Sequence, residues 1–99
     1  MPTFNEIKGK TILVGITYME DELTGKIKSR RRFFGTITGA GVVGIKIKSP
    51  DGSFFTLPPD LNALMPAPKG KYPVRLAGNK TVYPDYISTW RLVEKDDSN

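Results

Sequence analysis

The sequence predicts an all-β, mostly-β fold: a small SH3-like barrel of five to six antiparallel strands with one or two short helical turns. Three observations carry that expectation. Ten glycines and eight prolines in 99 residues interrupt the chain too often for long helices. Between the interruptions lie short segments rich in Val, Ile, Thr, Phe and Tyr, side chains that suit a pleated, half-buried surface. Three Pro-Asp dipeptides, Pro50-Asp51, Pro59-Asp60 and Pro84-Asp85, then mark joints in the C-terminal half. A chain of this length builds one core and not two, so a single domain is expected over residues 10–94, with 1–9 and 95–99 as flexible termini.

Thr11 to Tyr18 reads as the first strand. Ile12, Val14, Ile16 and Tyr18 share one face and Leu13, Gly15 and Thr17 the other, and apolar residues on both sides imply burial on both. Residues 20–32 then turn polar, with the acidic triplet Glu20-Asp21-Glu22 followed by Thr24-Gly25 and a basic run, which predicts a long loop or an irregular hairpin tip. Arg32 to Thr38 is the second strand, and Gly39-Ala40-Gly41 supplies positive-φ capacity for a tight hairpin. Val42 to Lys48 alternates, placing Val43, Ile45 and Ile47 inward and Gly44, Lys46 and Lys48 outward. In Ser49 to Ser53, Pro50 presets φ, Asp51 bonds to local amides and Gly52 tolerates positive φ, so a hairpin turn leads into a fourth strand, Ser53 to Leu57. Asp60 in L-P-P-D-L and Asp85 in Y-P-D-Y each precede an apolar residue, predicting caps of short helical turns that contribute ~1 kcal/mol each. Lys71 to Ala77 is the fifth strand, with Tyr72, Val74 and Leu76 on one face and Pro73 at a bulge or edge. Ser88 to Glu94 is the last, with Trp90 and Leu92 inward.

Strands joined by such short turns form an antiparallel meander, and with so little helix the sheet is expected to close on itself and hide its edges. An OB-like barrel is the alternative, since it also combines about five strands with little helix. The A-L-Y-D-Y motif of SH3 signalling domains is absent, so the likeness is one of architecture.

From Phe34 to Leu92 the chain carries F-G-T-I, then F-F-T-L-P-P-D-L, P-A-P-K-G-K-Y and Y-P-D-Y-I-S-T-W. In these elements, above all L-P-P-D-L with P-D-Y-x-x-x-W, it resembles a small family of uncharacterised bacterial single-domain proteins. The resemblance covers about sixty of the 99 residues. It implies a bacterial protein and brings no catalytic residues with it.

With no histidine and no cysteine, the chain lacks the usual proton shuttle near neutral pH, the usual thiol nucleophile and the commonest zinc ligands. A non-enzymatic protein without cofactor or metal is expected. Asp60 and Asp85 form the best carboxylate pair for acid–base work, but capping accounts for both. Glu20, Asp21 and Glu22 lack calcium-loop spacing, and the glycines do not form a phosphate loop.

Charge is the feature that points to function. The net charge is +5, and between Lys26 and Lys80 eleven basic residues stand against Asp51 and Asp60. The candidate binding residues are Lys26, Lys28, Arg30, Arg31 and Arg32 of the basic loop, with Phe34, Lys46, Lys48, Arg75, Tyr83 and Tyr86. A binding module for a protein or peptide partner is expected. The alternative is nucleic-acid binding through loop 26–32, with aromatic side chains supplying stacking faces. A monomer or weak homodimer is expected, with no membrane partner. Residues 1–9 hold no apolar signal core, no run approaches the ~18 apolar residues of a spanning helix, and the missing cysteines fit a reducing compartment, so a cytoplasmic location is expected.

Overall fold

The computed structural model describes residues 3–20 and 23–93. Asp21 and Glu22 of the acidic triplet, Glu94 and the tail 95–99 lie outside the described residues. The mostly-β expectation holds: apart from short helical turns, the ordered elements are strands.

The chain opens with one helical turn, α1 (Phe4–Ile7), capped by the Thr3 hydroxyl, which accepts from the Glu6 amide at 3.2 Å. Residues 1–9 were expected to lie outside the domain. Ile7 is instead fully buried in the core, and the Gly9 amide donates to the Ile37 carbonyl at 2.8 Å. β1 (Thr11–Met19) and β2 (Ile27–Gly41) then form one long antiparallel hairpin, Thr11 opposite Thr36 and Tyr18 opposite Ser29. The basic run expected as a loop is therefore strand from Ile27 onward, because its backbone pairs with β1 even where both sides face solvent.

β3 (Gly44–Lys48) returns along β2. The turn falls at Val42-Val43 and not at Gly39 to Gly41: Gly41 pairs with Gly44 and Ala40 with Ile45, so the glycines sit in the ladder and the valines form the tip. Val43, expected inward, is 92% exposed for that reason. Ile45 and Ile47 are fully buried as their alternation predicts. β4 (Phe54–Leu57) follows a hairpin turn in which Gly52 takes φ 92° and the Ser49 amide donates to the Ser53 carbonyl at 2.7 Å, as Pro50-Asp51-Gly52 predicts.

The Asp51 carboxylate closes this turn. It accepts from the Ser53 hydroxyl at 2.6 Å and the Ser53 amide at 2.9 Å, and these bonds hold its pKa below the usual carboxylate value. The unfolded chain therefore takes up the proton at higher pH than the folded one. The turn's contribution is fully present above the ordinary carboxylate pKa and is lost as pH falls through the lowered one. Replacing Ser53 by alanine is expected to flatten the acid limb of a stability-versus-pH profile measured by thermal melts; an unchanged limb would rule this turn out as a contributor.

Asp60 caps a 3-10 turn at Leu61–Ala63, accepting from the Asn62 amide at 3.0 Å, in agreement with the sequence. Two-residue strands follow, β5 (Met65–Pro66), β6 (Val74–Arg75) and β7 (Thr81–Val82), before the long β8 (Tyr86–Val93). The expected strand 71–77 thus shortens to two ladder residues, though Tyr72, Val74 and Leu76 are half-buried in alternation with exposed neighbours.

Asp85 departs from the capping expectation, since β8 and not a helical turn follows it. Its Oδ2 accepts from the Thr11 amide at 2.9 Å and the Thr11 hydroxyl at 3.1 Å, while its own amide donates toward the Thr11 carbonyl at 3.1 Å and Oγ1 at 3.0 Å. This clasp sets the start of β8 beside the start of β1, so both strands leave in the same direction. They run parallel from Ile12 opposite Tyr86 to Met19 opposite Val93, against the expectation of antiparallel strands throughout.

The main sheet has the order β4-β3-β2-β1-β8-β5, with β6 and β7 forming a separate small ladder. It is open, so the expected closure into an SH3-like or OB-like barrel is not observed: β4 and β5 are its edges. β5 is poorly built to accept another strand, being two residues long with Pro66 offering no amide. One side of the sheet carries the core: Ile7, Ile12, Val14, Ile37, Ile45, Ile47, Leu57 and Leu64, with Phe33, Phe55, Tyr86 and Trp90 packed against it. Each fully buried isoleucine contributes roughly 1.5–3 kcal/mol. Trp90 is partly buried and its indole N–H donates to the fully buried Ser88 hydroxyl at 2.8 Å, whereas Leu92, expected inward, is 44% exposed because β8 outruns the core.

Candidate functional site

Paired residues in a ladder project to the same side of a sheet, and residues two apart on one strand share that side. On the side away from the core, the register assembles four rows. Arg30 lies beside Thr17, which lies beside Arg91. Arg32 neighbours Gly15 and then Thr89. Phe34 neighbours Leu13, then Ile87 and Met65. Phe54 neighbours Lys48, then Thr36 and Thr11, with Lys46 two residues along β3 from Lys48.

The segment before and within β6 stands over this face and makes it concave. Leu13, Gly15, Arg32, Met65, Tyr72 and Ile87 line a trough of about 420 Å³. Leu13, Arg32 and Phe34 meet Pro73, Val74 and Arg75 in a second hollow of about 210 Å³. Leu13 and Arg32 belong to both, so the two adjoin. Further along β1, Thr17, Met19, Arg30 and Arg91 line a third hollow of about 190 Å³. No acidic side chain is among the described residues lining the three. Beside them Phe54 is 52% exposed, with the Lys46 ammonium 4.7 Å and the Lys48 ammonium 5.8 Å from its ring centroid. Such contacts contribute ~0.5–1 kcal/mol at exposed sites and hold the cations around the ring.

Of the candidates drawn from the sequence, Arg30, Arg32, Phe34, Lys46 and Lys48 come together on this face, and Arg75 stands on the wall of the second hollow. Arg31 does not join them. It pairs with Ile16 and projects to the core side, beyond the end of the core. Tyr86 pairs with Ile12 and is half-buried against the core, while Tyr83 is 52% exposed just ahead of β8. Lys26 makes an exposed ion pair with Glu20 at 3.6 Å, an arrangement worth little energetically. Lys28 sits at the bulge where the register shifts between Tyr18 and Met19.

Sequence reasoning missed Arg91, Phe54, Met65 and Gly15 as parts of this face. Alternation from Trp90, read as inward, puts Thr89 and Arg91 on the opposite side, which was a usable signal. That β8 lies beside β1, and hence that Arg91 approaches Arg30, was not readable from any local pattern.

Both carboxylates weighed for acid–base chemistry are engaged with backbone amides, Asp60 with the nearby Asn62 and Asp85 with the distant Thr11. Among the described residues no three Asp, Glu, His or Cys side chains gather as a metal site would need, and no helix is long and apolar enough to cross a membrane. No family model matches the chain, and no curated protein or solved structure matches it either.

Proposed function

We propose that this chain is a non-enzymatic binding module whose open sheet face takes single-stranded nucleic acid. The observation that supports this is the row pattern: Arg30, Arg32, Arg91, Lys46 and Lys48 share a side of the sheet with Phe34 and Phe54, beside hollows whose described lining carries no carboxylate. Guanidinium and ammonium groups neutralise phosphates and release condensed counterions, and aromatic faces stack with bases of any sequence. The strand is contacted through charge and stacking, so binding is expected to be tolerant of sequence. Titration of a fluorescent single-stranded oligonucleotide at increasing salt tests this. For about four to six phosphates engaged, log affinity should fall against log salt with a slope of roughly −3 to −4. Absence of salt-sensitive binding at low ionic strength would sink the reading.

A protein or peptide partner is the second reading, and a different observation favours it. Val42 and Val43 at the β2–β3 tip are 86% and 92% exposed, an adjacent apolar pair of the kind that marks contact surfaces. The double substitution Val42→Ser with Val43→Ser would abolish capture of such a partner and leave oligonucleotide binding intact.

A further inference from the structure

We infer that the trough between β1, β8 and Tyr72 is a nucleobase pocket, receiving one unstacked base of the bound strand while Arg32 holds an adjoining phosphate. This rests on the nucleic-acid reading above and adds where a base goes.

Gly15 forms the floor of the trough. It lies mid-strand, where glycine weakens pairing and often marks close approach of a ligand. Its φ is not in the left-handed region, and a Cβ built there would meet only Thr89 Cγ2, at 3.8 Å, an ordinary contact. Neither conformation nor packing therefore requires glycine at this position. What the missing side chain provides is depth, in the floor of the trough. The volume of about 420 Å³ falls in the range of pockets that enclose small ligands, ~300–1,000 Å³. Its lining is mostly apolar, Leu13, Met65 and Ile87 with the half-buried Tyr72, beside Ser88 and Thr89, and its charged member is Arg32, which also lines the adjoining hollow with Arg75. A ligand that suits this lining combines a poorly hydrated body with an anion beside it. A nucleotide within a strand has that chemistry, and the run of cations from Arg32 to Arg30 continues the path for its neighbours.

The test compares an oligothymidylate of about ten nucleotides with an abasic strand of equal length, a span within known single-strand site sizes. Wild type is expected to bind the base-bearing strand roughly a hundredfold more tightly or better, since the pocket and the faces of Phe34 and Phe54 all lose their bases in the abasic strand. Gly15→Val, which fills the floor, should cut that advantage by roughly tenfold, the share of one base, and leave the salt slope unchanged, since no charge is altered. Tyr72→Ala, which lies outside the main sheet, should do the same and serves should the valine disturb β1. A preference undiminished in both variants would overturn the pocket while leaving the binding face standing, whereas equal binding of both strands by wild type would overturn the pocket and the stacking on Phe34 and Phe54 together. Failure of wild type to bind either strand would overturn the proposed function and the pocket with it. An acidic peptide with a central leucine that outcompetes the oligonucleotide, and that Gly15→Val no longer binds, would assign the trough to a protein partner and likewise overturn the inference.

Discussion

Replacing Gly35 by alanine is expected to destabilise the fold by about 3 kcal/mol, the upper part of the range for overpacking a filled site. Gly35 is buried on β2 opposite Ile12, and a Cβ there would lie 2.5 Å from the Lys48 carbonyl oxygen and 2.6 Å from Ile47 Cγ2. The first of these atoms is backbone, so no rotamer change relieves the clash; β3 itself must move. That strand carries Ile45 and Ile47, both fully buried, and β4 hangs from it. Phe33 on β2 and Phe55 on β4, whose ring centroids are 5.4 Å apart, meet across β3 on the core side, so a shift of β3 disturbs that contact as well. Urea denaturation should show a lower midpoint at unchanged slope. For a domain of this size the melting temperature should fall by roughly 4–8 °C per kcal/mol. A variant within about 0.5 kcal/mol of wild type would mean that β3 shifts freely and that its close approach to Gly35 is not a constraint on the sheet. Gly15, whose Cβ position meets nothing nearer than an ordinary contact at 3.8 Å, provides the opposite case on the neighbouring strand.

Removing Arg30 and Arg32 together is expected to flatten the salt dependence of oligonucleotide binding by about 1.4, at ~0.7 for each phosphate of a single strand that is no longer neutralised. Affinity at low salt should fall by roughly one to two orders of magnitude, because the two guanidiniums stand in adjacent rows of the binding face. Arg31→Ala is the control that separates geometry from composition. It removes the same charge from the middle of the same run, but Arg31 projects to the other side of β2. Its slope should match wild type. If Arg31→Ala and a single Arg30→Ala or Arg32→Ala weaken binding equally, attraction is diffuse and the face has no special role.

Glycines and arginines also show how far the chain could be read in advance. Gly39-Ala40-Gly41 announced a tight hairpin, but placed its tip too early, because the ladder extends through Gly39 to Gly41 and leaves Val42-Val43 at the turn. The basic run announced phosphate-binding capacity as a loop. As a strand it divides, Arg30 and Arg32 to one side and Arg31 to the other, a division that period-two geometry enforces once pairing with β1 is known. Phe34, Lys46 and Lys48 were singled out from composition and do share the face. Gly15, Phe54 and Arg91 were not, since nothing in their immediate neighbours says what lies across the ladder.

The sequence alone determined the β class, the inward alternation of Ile45 and Ile47, the Asp51 turn, the Asp60 cap and the absence of histidine and cysteine chemistry. Each of these depends on side chains within a few residues of one another, where local geometry dominates. Only the tertiary structure decided that β8 runs parallel to β1, that the sheet stays open, and that arginines from β2 and β8 border one face. The parallel pairing begins at the clasp between Thr11 and Asp85, partners 74 positions apart, and what joins such distant groups is the packing of the whole chain rather than any segment of it.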